Sequence, residues 1–91
     1  MEFLVQIQVT LPPELPDAFR QELMEREQVR GRELKSQGVI RRMWRIPGRT
    51  ANVGIWDAPD PTALHDALSS LPMFPYIDAT VTPLATHYLE A

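Results

Sequence analysis

The runs VIRRMWRI at 39–46 and TANVGIWD at 50–57, separated only by PGR at 47–49, decide the architecture. Both are rich in β-branched and aromatic side chains, which fit a pleated surface. The Pro47-Gly48-Arg49 break supplies turn chemistry between them. The spacing therefore predicts two antiparallel strands joined as a hairpin.

Working outward toward the N-terminus, Pro16 to Gln37 is dominated by Glu, Arg, Gln, Leu and Met. These are good helix formers, with Pro16 suited to a first turn and Gly38 to a stop. Before it, Phe3, Val5, Ile7, Val9 and Leu11 alternate with mostly polar residues, the period-two mark of a half-buried strand. On the C-terminal side, Asp60-Pro61 reads as an N-cap and first-turn proline. Leu64, Leu68 and Leu71 then repeat at helical spacing through Ser70. After a loop stiffened by Pro72 and Pro75, Ile77, Ala79 and Val81 alternate within a final strand from Tyr76 to Pro83. The order βαββαβ predicts an α+β, ferredoxin-like fold: a four-stranded antiparallel sheet with two helices on one face. Trp44, Trp56 and alternate sheet residues leave the second face apolar enough for another copy of the chain to cover it, as in a dimeric α+β barrel.

A chain of 91 residues with 44% apolar and 23% charged side chains is expected to form a single globular domain over residues 1–91. Its net charge of −3 gives no broad electrostatic attraction to nucleic acid or an anionic membrane, so neither is an expected partner. The absence of cysteine rules out disulfides, thiolate metal sites and cysteine nucleophiles. The opening MEFLVQIQVTL lacks the basic lead and unbroken apolar run of a secretion signal, and a cytoplasmic location is the expectation.

Within the first helix, Phe19, Leu23 and Leu34 define an inward stripe. Taking about 100° per residue, Glu27 lies within about 45° of its mean direction. Two readings are open. Desolvation of an inward carboxylate raises its pKa and suits it to remove a proton from a carbon acid near neutral pH; a marginal glutamate instead pairs with Arg30 or Arg32 in solvent. In RRMWR at 41–45, alternation puts Arg41, Met43 and Arg45 on one face and Arg42, Trp44 and Ile46 on the other. Such arginines either bind an anion through paired hydrogen bonds or protect a sheet edge or interface. His65 and His87 have no metal-ligand spacing, and His65 sits beside the apolar stripe of the second helix. Asn52 interrupts a strand, where a polar amide calls for a specific hydrogen-bond partner.

The segment LHDALSSLPMFPY at 64–76, with WRIPG at 44–48, AN at 51–52, WD at 56–57 and VTPL at 81–84, resembles the muconolactone isomerase family. The likeness extends to the opening from Phe3 to Pro12, to RE at 26–27 and to the stretch from Glu33 to Gly38. It implies a bacterial enzyme of aromatic catabolism, a homo-oligomer (a dimer or a decamer), that shifts a proton on a lactone bearing a carboxylate without cofactor or metal. It also implies Glu27 as the base, Arg45 on the substrate carboxylate or enolate and Asn52 on the lactone oxygens. His65, Trp44, Phe74 and Tyr76 are then expected to shape the pocket. Leu4, Gln28, Val39, Arg42, Thr50 and Val53 depart from the family pattern, leaving two alternatives: a different lactone substrate, or a non-catalytic binding or assembly protein on the same scaffold.

Overall fold

A computed structural model describes all 91 residues. Strand β1 (Glu2–Val9) leads to helix α1 (Asp17–Ser36), the hairpin β2 (Ile40–Arg45) and β3 (Ala51–Asp57), helix α2 (Pro61–Ser69) and strand β4 (Ile77–Leu84). One-turn 3₁₀ segments occupy Phe74–Tyr76 and Tyr88–Glu90. All strand pairs are antiparallel in the order β2-β3-β1-β4, the ferredoxin-like arrangement expected from the sequence.

Register sorts the side chains by face. Phe3 opposes Trp56, Val5 opposes Gly54 and Ile7 opposes Asn52, so these six residues share the helix-covered face. There Phe3, Val5, Ile7, Ile40 and Trp56 meet Leu34 of α1 and Leu64, Leu68 and Leu71 in and beyond α2. Burying each large apolar side chain is worth about 1.5–3 kcal/mol, so this layer holds the helices to the sheet. Gly54 is required by close approach: a Cβ there would stand 2.7 Å from the Arg42 carbonyl oxygen on β2. Gly48, at φ +79°, turns the hairpin in a conformation that side chains resist.

Helix α2 starts as expected, with the Asp60 carboxylate accepting from the Ala63 N–H at 2.8 Å. Helix α1 has a sparser apolar stripe than predicted. Leu23 and Leu34 are buried, whereas Phe19 is 40% exposed.

Strand β2 departs from simple alternation. The ladder pairs Ile40 with Trp56 and Arg42 with Ile55, so Arg41 is an extra residue in a bulge. Beyond it Met43 and Arg45 face the helices and Arg42 and Trp44 face away, as the alternation predicted. Arg41 itself drops out of the pattern and reaches Asp57 at 3.7 Å. On the sheet's second face lie Leu4, Gln6, Val53, Ile55, Trp44 and Thr82, uncovered by any element.

Candidate functional site

A cavity of about 900 Å³ opens where β1 ends, β3 begins and the hairpin end of β2 runs beneath α1. Its size falls within the range of about 300–1,000 Å³ common for small-molecule sites. Four groups of the wall have chemistry: Arg20 and Glu27 from α1, Arg45 from β2 and Asn52 from β3. The register places Arg45 directly opposite Asn52 on the helix-facing side. Arg20 and Glu27 are seven residues apart, two helical turns, and so project from one face.

Glu27 is half-buried, and its Oε1 accepts a hydrogen bond from the Met73 N–H at 2.9 Å. Burial pushes its pKa above the ordinary value of 4.5, and the Met73 bond opposes that shift without cancelling it. No cation of the chain pairs with this carboxylate, and Oε2 has no partner. The group is thus fixed through one oxygen, with the other available to take a proton. Of the two readings of Glu27 drawn from the sequence, the inward carboxylate describes the structure: Arg30 binds Glu33 and Ser70 instead, at 3.1 and 2.9 Å.

Asn52 has its Oδ1 buried with no hydrogen-bond partner, so the specific partner expected from its place in a strand is not within the chain. A desolvated amide oxygen facing a cavity calls for a donor from what fills it. Thr50, just ahead of β3, is held by its hydroxyl, which donates to the Val9 carbonyl at 2.9 Å and accepts from Gln8 Nε2 at 3.0 Å.

The structure brings Glu27, Arg45, Asn52 and Trp44 to the cavity and leaves His65, Phe74 and Tyr76 outside its lining. Trp44 borders the cavity between Met43 and Arg45, but its ring lies on the opposite sheet face, where the Arg42 guanidinium stands 4.9 Å from the ring centroid. His65 is exposed and packs edge to face on Phe74, with ring centroids 5.9 Å apart. Neither residue, nor Tyr76, lines the cavity. Phe74 packs against the hydrophobic core, and Met73, just ahead of the 3₁₀ turn, lines the cavity in its place. Arg20 and Met73 were not singled out in the sequence. Arg20 shares the helical phase of Glu27 and Leu23, a signal sufficient to find it, whereas a main-chain donor such as that of Met73 leaves no trace in residue identity.

Fold and cavity together define a ferredoxin-like α+β domain in which a desolvated carboxylate and arginines converge on a small-molecule site. The family model for muconolactone delta-isomerase matches residues 1–90. Muconolactone delta-isomerase 2 of Acinetobacter lwoffii is 40% identical over 87 residues, 96% of this chain and 91% of that protein. Muconolactone delta-isomerase of Cupriavidus pinatubonensis is 38% identical, covering 96% of this chain and 95% of that one. A crystal structure of muconolactone isomerase superposes with a TM-score of 0.90 at 39% identity, over 97% of this chain and 92% of that one. The chain belongs to the muconolactone delta-isomerase family, and its class is that of the isomerases.

Proposed function

We propose that this protein migrates a carbon–carbon double bond in a muconolactone-type lactone bearing a carboxylate, a step of bacterial aromatic catabolism. Glu27 Oε2 removes the proton next to the lactone's unsaturated system, and the electron pair spreads onto the lactone carbonyl as a dienolate. The same carboxylic acid then returns the proton to the far carbon of the allylic unit, so the reaction is balanced within one molecule. Arg45 faces the developing negative charge, and Asn52 beside it donates through its Nδ2 amide hydrogens to a lactone oxygen. No cofactor or metal enters this scheme. The observation that carries the reading is a half-buried, cation-free carboxylate with one oxygen unpartnered, facing a cavity with arginines in its wall.

Gln28 and Thr50, two of the positions that depart from the family pattern, both stand on the cavity wall. A changed wall favours a substrate related to muconolactone but differently substituted. The reading further includes a single domain over residues 1–91, a cytoplasmic location and a homo-oligomer, a dimer or decamer, in which a second copy covers the open sheet face.

The test is an ultraviolet or NMR assay with muconolactone and its chlorinated and methylated analogues. At least one is turned over by the protein, and Glu27→Gln lowers kcat by about 10²–10⁴-fold while circular dichroism stays unchanged. Turnover by the variant at the parent rate would remove Glu27 from the mechanism.

A further inference from the structure

The guanidinium of Arg20 is held on one side only. Its Nε donates to the Leu15 carbonyl at 3.1 Å and its Nη2 to the Pro12 carbonyl, both in the loop between β1 and α1. These bonds occupy the edge formed by Nε and Nη2. A guanidinium has five N–H donors, and the fork made by Nη1 and the second Nη2 hydrogen has no acceptor in the chain. Arg20 is half-buried, lines the cavity and makes no salt bridge with any carboxylate of the protein. A partly desolvated cation without a counterion, braced so that its open fork keeps a fixed direction, is prepared for an external anion. Arg45 differs from it: its residue is exposed on an edge strand, and its guanidinium makes no recorded hydrogen bond.

We propose that Arg20 is the anchor for the substrate's carboxylate, binding it through the Nη1/Nη2 fork, and that Arg45 serves the charge that develops on the lactone. This rests on the lactone-acid reading above and divides its two cations. The seven-residue separation sets Arg20 and Glu27 about 10 Å apart along the helix axis, a span for a ring with a carboxylated side arm. The occupant is thereby a small monocarboxylate whose acid group lies toward the β1–α1 loop and whose reacting carbons lie toward Met73.

The experiment uses 5-oxotetrahydrofuran-2-acetate, a saturated lactone acid with no double bond to move, and its methyl ester. Both are titrated calorimetrically into the full-length protein and into Arg20→Met, Arg20→Lys and Arg45→Met. The expected result is that the parent prefers the acid to the ester by about 10- to 100-fold. Arg20→Met abolishes the preference, Arg20→Lys restores part of it and Arg45→Met retains it. A purely structural role for Arg20, in bracing the loop, would weaken acid and ester alike and leave their ratio intact; that outcome overturns the proposal. So does a parent that does not discriminate, or a preference lost in Arg45→Met instead. Because these probes cannot isomerise, the proposal stands or falls on their ratio, whereas the reaction is judged by muconolactone turnover and its loss in Glu27→Gln.

Discussion

Glu27 is less stable ionised in the folded protein than in the unfolded chain, because burial raises its pKa. The folded state therefore holds this proton more tightly, and the stabilisation from that affinity is complete below the unfolded value near 4.5 and is lost as pH rises through the folded pKa. Glutamine keeps an oxygen for the Met73 N–H but never ionises. Glu27→Gln is accordingly expected to raise the melting temperature at neutral pH, with the gain shrinking as the pH falls toward 4; a gain independent of pH would show that burial of charge is not its source. The same shift places the acidic limb of the kcat/KM profile above 4.5, since the base must be unprotonated to act. At this scale the sequence was partly readable. Helical phase turned Glu27 inward but left two readings of it open until the family resemblance chose one, a polar residue within a strand pointed to Asn52, and the aromatic residues were assigned to the pocket by resemblance alone. Of these, Trp44 reaches the cavity lining, whereas Phe74 and Tyr76, in the 3₁₀ turn, do not.

Among the elements, the β2–β3 hairpin does most to place the site, because it sets Arg45 opposite Asn52. Its spacing depends on Gly54, whose absent side chain leaves room for the Arg42 carbonyl. In Gly54→Ala two backbones must move apart, and the expected penalty is about 1–3 kcal/mol, read as a lowered midpoint in urea, with activity falling further as Arg45 shifts. Element order and type were legible because proline, glycine and hydrophobic period agree at almost every boundary. The bulge at Arg41 was not, since a two-residue period assumes an unbroken ladder and only the partner strand reveals the extra residue. The exposure of Phe19 was missed for a related reason: phase says which way a helical residue points, not whether anything lies there to meet it.

For the whole molecule, the uncovered sheet face is the largest feature without an internal partner. Ile55 stands near its centre between Leu4 and Arg42. If a second copy packs there, Ile55→Lys places an unpaired charge in the contact and yields monomers in sedimentation velocity while secondary structure is retained. An unchanged sedimentation coefficient would place the contact elsewhere. Such a contact was expected from the alternation of apolar residues, but a two-residue period says only which face is apolar, not how two copies of it meet. The edge strand β2 gives this arrangement a kinetic side. Trp44 and Arg45 are consecutive, one turned to the open face and the other to the cavity, so a single thickness of backbone separates the two. If a second copy packs on Trp44, its pressure reaches Arg45 through one peptide unit. Specific activity would then fall on dilution along the dissociation isotherm.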